Sequence, residues 1–172
     1  MDKWNKLATK KIVNTTIKNL KNNGIDGVVV KSGEDAKKKV LELIPEGSDV
    51  MTMTSETLKS IGIPEEIDKS GKFDSVREKL SKMDRSTQSG EMQKLGAAPK
   101  YTIGSVHAVT EDGQVIIASN TGSQLPAYVY GSEHVIWVVG IQKIVKNVEE
   151  GMKRIYDYVL PLESERAKKA YG

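Results

Sequence analysis

Residues 101–139 read YTIGSVHAVTEDGQVIIASNTGSQLPAYVYGSEHVIWVV, and this stretch decides the fold. Three short apolar runs within it predict strands at Tyr101–Ile103, Gln114–Ala118 and His134–Val139. The last run is apolar almost throughout, which is typical of a strand that is covered on both faces of its sheet. Strands of that kind occur mainly in parallel sheets with helices packed on them, so the stretch indicates the centre of an α/β domain.

Towards the amino terminus, helical and strand patterns alternate. Apolar residues at helical spacing predict a helix over residues 3–23, and the wholly apolar run Gly27–Val30 predicts the first strand. A capping pattern predicts a second helix over Ser32–Pro45. Asp49–Thr54 then predicts the second strand, and Ser55–Ile61 predicts one or two helical turns.

The remaining segments complete the alternation. Residues 62–71 read as a looser stretch, and apolar spacings predict a helix over Phe73–Met83. The polar segment Asp84–Lys100 predicts a connection with at most a short helix. A long helix is expected from Asn147 to Pro161, followed by a charged helical tail over residues 162–172.

The sequence pattern allows two structures for residues 105–118. Asp112-Gly113 between two apolar stretches is a strong hairpin signal, which would make residues 105–110 and 114–118 an antiparallel ribbon. A short helix at Val106–Thr110 fits equally well. In either case, strands separated by helices predict an α/β fold with a mostly parallel sheet flanked by helices.

Length and composition limit the classes of function. The chain has 172 residues, a net charge of +3 and no Cys, which excludes disulfide scaffolds, thiolate zinc sites and a Cys nucleophile. No apolar run approaches the ~20 residues that a membrane span needs, and the first residues lack a secretion signal, so a cytoplasmic protein is expected. Only four of the 26 basic residues are Arg, which argues against a nucleic-acid partner.

Small hydroxyl residues and glycines follow each of the first four predicted strands. In a parallel sheet these four loops would share the edge where the strands end, at which open α/β folds bind ligands. Such loops leave backbone N–H groups available to hold an anion, although each Ser or Thr also suits the N-cap of a helix. The predicted ligand-binding residues of these loops are Ser55, Ser105, Asn120, Thr121, Gly122, Ser123 and Gln124.

Three charged or titratable residues are further candidates. Glu111 could be a catalytic base or nucleophile, or a solvated acid of a turn. His107 could be a general acid or base, and would share a face with Glu111 if this stretch were helical. Lys143 follows the fifth predicted strand and could contact an anion. No spacing of the two His with carboxylates predicts a metal site, and no motif identifies a cofactor.

Four segments together resemble the LUD-domain (lactate utilisation) family. They are residues 83–88 (MDRSTQ), 104–113 (GSVHAVTEDG), 118–128 (ASNTGSQLPAY) and 135–145 (VIWVVGIQKIV). The resemblance implies an α/β fold of the sugar-phosphate isomerase and CoA-transferase type. It also implies a single domain over residues 1–172. Relatives that resemble this chain usually continue into a further strand after the Ala170-Tyr171-Gly172 stretch. Some relatives have an Arg in the loop where this chain has Gln124.

The resemblance implies three alternative functions. The first is a role in the bacterial system that oxidises L-lactate to pyruvate with iron–sulfur partner subunits, in which a chain without Cys would be the cluster-free component that binds a small anionic metabolite or cofactor. The second is a non-catalytic accessory subunit that recruits an oxidoreductase. The third is a transferase or isomerase that uses CoA or a phosphosugar, with Glu111 as the nucleophile, because CoA-transferases of the wider fold use a Glu followed closely by Gly.

Overall fold

The computed structural model describes residues 2–171, so Met1 and Gly172, the two ends of the predicted domain, lie outside the described residues. The strands are β1 Asp49–Thr52, β2 Asp74–Ser75, β3 Tyr101–Gly104, β4 Ala108–Thr110, β5 Val115–Ile116, β6 His134–Trp137 and β7 Ile144–Val145. The α-helices are α1 Lys10–Asn22, α2 Gly33–Glu42, α3 Glu56–Ser60, α4 Ile63–Asp68, α5 Val76–Ser81, α6 Arg85–Ala97, α7 Val148–Arg154 and α8 Leu160–Tyr171. There are 3-10 turns at Asp2–Asn5 and Ile141–Lys143, and π-helical turns at Ala127–Gly131 and Ile155–Val159.

The chain forms two compact units, each assembled from separate segments. The first unit contains residues 2–29, 106–118 and 139–171, and the second contains residues 30–105 and 119–138. The first unit has a three-stranded sheet in the order β5-β4-β7, and the second has a four-stranded sheet in the order β2-β1-β3-β6. Every pair in the four-stranded sheet is parallel. The prediction of an α/β fold with a parallel sheet flanked by helices is therefore confirmed.

The core of the second unit lies on its two central strands. Val50 of β1 and Ile103 of β3 are fully buried, and Leu58 of α3 and two isoleucines of α4, Ile63 and Ile67, pack in the same cluster. Burying these aliphatic side chains is the main stabilising contribution to the unit. The helices that follow β1 are thereby held against the sheet.

The first unit is organised around the hairpin of β4 and β5. These strands pair antiparallel on either side of Asp112-Gly113, so the structure selects the ribbon over the alternative helix at Val106–Thr110. On its other side, β4 pairs in parallel with β7. Trp4 packs with Ala108 and Val145 to form the core of this unit.

The prediction of a strand at Gly27–Val30 is wrong. This segment forms no strand, and the side chains of Val28 and Val29 are 65% and 58% exposed. An apolar run becomes a buried strand only where neighbouring strands satisfy its backbone groups, and no described strand pairs with this segment. The predicted helix over residues 3–23 is also shorter than expected, since α1 begins only after Thr9, whose hydroxyl accepts a hydrogen bond from Ile12 N.

Two helices lie where the sequence predicted irregular structure. The looser stretch at residues 62–71 contains α4, in which Pro64 occupies the first turn, a position where a missing N–H costs nothing. The connection Asp84–Lys100 contains α6, which is kinked at Gln88, where the backbone is not helical, and none of its side chains is buried. Its start is fixed by polar contacts, because Asp84 accepts from Ser86 N and donates its own N–H to Gln88.

Two boundaries near the ends of helices also differ from the prediction. The helix expected over Phe73–Met83 begins only at Val76, because Asp74–Ser75 pairs with β1 as a short edge strand. The long carboxyl-terminal helix passes through Pro161 instead of ending there. A wider π-helical turn at Ile155–Val159 comes just before this proline, which has no N–H to donate.

Candidate functional site

The order of strands in the second unit defines a candidate ligand site. From β1 the chain passes to β2 on one side of it, and then to β3 on the other side. The crevice beyond the carboxyl ends of β1 and β3 is therefore the topological switch point of this sheet, where open α/β sheets bind ligands. Ser55 follows β1 and Ser105 follows β3, so both flank this point as predicted.

The loop Ser119–Gln124 leads to the same edge of the four-stranded sheet. Gly131 lies against Ala97, which precedes β3, whereas the ring of Tyr128 lies against Gly104, the last residue of β3. The segment from Gln124 to Gly131 therefore runs opposite to β3, and the loop before it lies near the end of the strand. We call Ser55, Ser105 and residues 119–124 the strand-end site.

The described contacts of the strand-end site are mostly local. Ser55 Oγ accepts from Leu58 N at 3.4 Å, so this residue is an N-cap, as the simpler interpretation predicted. In the loop, Ser119 Oγ accepts from Gly122 N at 2.9 Å, and Thr121 Oγ1 donates to Ser123 Oγ at 3.0 Å. Asn120, Thr121 and Ser123 are exposed to solvent.

Tyr128 joins the loop to the end of β3. Its hydroxyl donates to Ser105 O at 3.4 Å, and its ring meets Trp137 edge to face. Burial raises the pKa of Tyr128 to about 12, so its hydroxyl keeps its proton over the working pH range.

The expectation that four loops share one edge is wrong. Residues 31–33 follow no strand, and Ser32 is simply the N-cap of α2. The strand before the loop at residue 119 is β5, which belongs to the sheet of the first unit rather than to the parallel sheet. The loops that contain Ser55 and Ser105 directly follow central strands of the four-stranded sheet. The loop at residues 119–124 is connected to the edge of this sheet by Tyr128.

A polar network at the ends of β1 and β2 was not predicted. Arg77 donates to Thr52 O through Nε at 2.8 Å and through Nη2 at 2.5 Å. Asp68 accepts from Thr52 Oγ1 at 2.8 Å and from Ser75 Oγ at 2.8 Å. Because Arg77 binds a backbone carbonyl, its role here is to hold the end of β1 in place. An Arg two residues after a strand, in a chain with only four Arg, was the available signal.

His107 and Lys143 lie together in the first unit. They directly precede β4 and β7, which pair in parallel, so both side chains start from the same end of that sheet. Lys143 Nζ donates to Val106 O at 3.0 Å, and His107 Nδ1 accepts from Ala118 N at 3.2 Å. The neutral imidazole therefore carries its proton on Nε2. Burial, and then the charges of Lys143 and Arg154, lower the pKa of His107.

Arg154 is the residue of this group that was not predicted from the sequence. It ends α7 and its side chain is 3% exposed. Its Cζ lies 4.9 Å from the ring centroid of Tyr158. Its Nε and Nη1 are buried and have no hydrogen-bond partner among residues 2–171. Burial lowers the pKa of Arg154 as well. We call Arg154, Lys143 and His107 the basic cluster.

Glu111 lies at the far end of β4 from His107. Four residues of extended chain span ~13 Å, so the structure does not bring these two predicted catalytic residues together on a helix face. The backbone of Glu111 is tied into the hairpin, since its carbonyl accepts from Asn19 Nδ2 at 2.8 Å and its N–H donates to Val145 O. The catalytic roles of Glu111 and His107 stay predictions.

Lys143 makes the stability of the protein depend on pH. Burial, and then the charge of Arg154, lower its pKa to about 8 from the 10.5 of an ordinary Lys. The unfolded chain therefore binds this proton more tightly, and the free energy of unfolding rises with pH from about 8 towards 10. After allowance for partial solvent exposure, we expect a gain of about 1–2 kcal/mol.

The gain is measured by urea unfolding at pH 7.5 and pH 9.5, in the wild type and in Lys143→Met. The variant lacks the titrating amine, so the difference in stability between the two proteins should change in favour of the wild type at the higher pH. An equal dependence on pH in both proteins would show that Lys143 titrates as an ordinary surface lysine.

A depression in the surface of the second unit lies away from the strand-end site. This shallow depression of about 540 Å³ is lined by α2 residues, including Lys37 and Leu41, together with Glu66 and Phe73. None of the predicted site residues lines it. In the part of the chain described, no three His, Asp or Glu side chains are grouped so as to hold a metal ion.

Comparison with known proteins identifies a family. A family model described as LUD domain matches residues 13–171 of the chain. Searches among curated proteins and among solved structures found no match. Among residues 2–171, none of the helices has both the length and the apolar character needed to cross a bilayer.

Proposed function

The chain belongs to the LUD-domain family, and on this premise we propose that it binds a small anionic metabolite or cofactor at the strand-end site and acts in L-lactate utilisation. Membership of the family suggests involvement in lactate utilisation. The proposed place of action is the cytoplasm, and the proposed domain is the whole chain of 172 residues.

The position of the switch point is the observation that supports this proposal. Ser55 and Ser105 follow the two strands between which the chain changes direction across the sheet. Ligands of open α/β sheets bind at such points, where backbone N–H groups at the strand ends face an open crevice. The loop at residues 119–124 adds hydroxyl and amide groups, and Gly122 in it has a left-handed backbone with φ of 73°. Backbone of this kind can turn successive N–H groups towards an anion.

The proposed reaction requires a partner. Oxidation of L-lactate to pyruvate removes two electrons and two protons from the hydroxyl-bearing carbon and its oxygen. The chain has no Cys with which to ligate an iron–sulfur cluster of the usual kind. We therefore propose that iron–sulfur partner subunits accept the electrons, while this chain binds the organic acid or an associated anionic cofactor.

A thermal-shift screen tests ligand binding. The panel contains L-lactate, pyruvate, phosphosugars, CoA and acyl-CoA. A ligand at 100 times its Kd stabilises the folded protein by about 2.7 kcal/mol, which corresponds to a rise in Tm of roughly 5–10 °C for a chain of this length. A rise with L-lactate or pyruvate would support the proposal.

Two glycines of the second unit form a matched pair for locating the site. Gly122 and Gly71 have φ of 73° and 72°, and neither would bring a Cβ within 4 Å of another atom. Both changes to Ala therefore strain the backbone equally, but only Gly122→Ala alters the strand-end site. We expect Gly122→Ala to weaken binding of the ligand at least about tenfold, equivalent to about 1.4 kcal/mol. Gly71→Ala should bind as the wild type does.

Three results would argue against binding of a ligand at the strand-end site. Equal affinities in both glycine variants would place the ligand elsewhere. A folded protein that responds to no compound in the panel would favour the accessory-subunit alternative, and recovery of a cluster-bearing oxidoreductase with the chain from lactate-grown cells would then support it. A stable mass increase on Glu111 after incubation with acyl-CoA would instead favour the transferase alternative.

A further inference from the structure

Arg154 of the first unit is a buried cation with unsatisfied hydrogen-bond donors. Its side chain is 3% exposed, and its Nε and Nη1 lack an acceptor among residues 2–171. No described carboxylate forms an ion pair with it. Its Cζ lies 4.9 Å from the ring centroid of Tyr158. A buried guanidinium normally has a carboxylate or several carbonyls around it, because desolvating the charge is costly.

The topology of the first unit brings two further basic side chains to the same end of the sheet. After β7 the chain turns back, and α7 lies across the sheet with Gly151 against Ala108, Ile116 and Val145. Arg154 comes one helical turn later. This turn carries it towards the end of the sheet at which β4 and β7 begin, where the side chains of His107 and Lys143 are anchored.

A carboxylate of α8 acts on the basic cluster. Glu163 of α8 is the carboxylate whose charge acts on His107, but Glu163 is itself bound by Arg166, whose Nε donates to it at 2.8 Å. The described contact of Lys143 Nζ is to the backbone carbonyl of Val106. The hydrogen on Nε2 of His107 adds a neutral donor to the two cations.

We propose that Arg154, Lys143 and His107 form a binding site in the first unit for the oxyanion group of a small ligand, either a carboxylate or a phosphate. An oxyanion would supply the acceptors that Arg154 lacks, and guanidinium and ammonium groups are the usual protein partners of both kinds of oxyanion. This site is additional to the strand-end site and involves none of its residues.

The test is the dependence of Tm on sodium phosphate and, separately, on sodium L-lactate. Each titration is compared with sodium chloride at the same ionic strength. The wild type should gain roughly 3–5 °C at ten times the Kd of the anion that binds. A response to phosphate alone or to L-lactate alone identifies the kind of oxyanion.

Arg154→Met should abolish the response, because it keeps the side-chain volume and removes the guanidinium. Lys153→Met is the matched control. It removes the same charge from the neighbouring position of α7, where the Lys153 side chain is 60% exposed, and it should respond as the wild type does. A wild type without any specific response, or an unchanged response in Arg154→Met, would overturn the proposal.

A second measurement does not depend on how well a variant folds. The four arginines give few Nε–H signals in a ¹H–¹⁵N spectrum of the wild type. The signal of Arg154 should shift during the titration, and an unshifted signal would overturn the proposal. Gly122→Ala should retain this response, so failure of the strand-end site and failure of the basic cluster are told apart.

Discussion

Replacing Gly113 by Ala is expected to lower the free energy of unfolding by about 3 kcal/mol, from left-handed strain of about 1–2 kcal/mol and overpacking for the rest. Gly113 has a φ of 88°, a conformation that other residues rarely adopt. A Cβ at this position would lie 2.6 Å from the backbone carbon of Asn19 and 2.7 Å from its oxygen. These are backbone atoms of α1, so they can move away only if the helix leaves the hairpin.

The contact between α1 and the hairpin would be lost together with this packing. Asn19 Nδ2 donates to Glu111 O at 2.8 Å, and Asn23 Nδ2 donates to Gly113 O at 2.9 Å. The helix thus satisfies carbonyls of the turn that would otherwise face it unpaired. Displacing α1 by a few tenths of an ångström lengthens both bonds, which adds to the loss of stability.

Gly24→Ala is the matched control for this prediction. Gly24 belongs to the same unit and has a φ of 80°, but a Cβ there would meet nothing within 4 Å. We expect a loss of about 1 kcal/mol, from backbone strain alone. Urea unfolding followed by circular dichroism measures both variants. Equal losses would show that α1 does not press on the hairpin turn.

Leu58→Ala is expected to lower the free energy of unfolding by about 3 kcal/mol, since removing a fully buried Leu side chain leaves a cavity in a packed core. Leu58 of α3 is 0% exposed and belongs to the cluster that includes Val50, Ile63 and Ile103. The loss should include a weaker hold on the segment after β1, because the Leu58 side chain anchors α3 in the core cluster.

Leu43→Ala makes the same chemical change at the surface of the same unit. Leu43 is 49% exposed, so its loss should be below about 1 kcal/mol. The two variants are compared by urea unfolding under identical conditions. A similar small loss in both would mean that α3 does not pack on the sheet as described.

The sequence predicted those elements whose signals are local or strongly buried. β1 and β6 lie within the predicted runs, and β3 extends one residue past its predicted run. The side chains of β3 are buried throughout, whereas those of β6 are at most partly buried. The starts of α2 and α3 coincide with Ser32 and Ser55, because a capping hydroxyl acts within one helical turn. The hairpin at Asp112-Gly113 was one of two alternatives, and the local turn signal was the correct one.

Other elements depend on partners that are distant in sequence. Gly27–Val30 has the composition of a strand but no strand pairs with it. The helix α6 has no apolar stripe to reveal it, and its polar start is the stronger signal. The division of strands between two sheets also could not be read from spacing, because β4 pairs with β7, which lies more than 30 residues later.

The same distinction applies to the candidate sites. The positions of Ser55 and Ser105 at one edge of the sheet could be predicted, because residues after parallel strands share an edge whatever the details of packing. Arg154 could not, since its burial depends on how α7 crosses the sheet of the first unit. In the sequence it is one basic residue next to another, Lys153, which is exposed.

The most direct test of the proposed function is a ¹H–¹⁵N titration of the wild type with L-lactate and with pyruvate, which maps the ligand onto the chain. We expect chemical-shift changes at the amides of Ser55, Ser105 and residues 120–124, with saturation as the ligand is added. Shifts confined to the depression between α2 and Phe73, or no saturable shift with either acid, would contradict it.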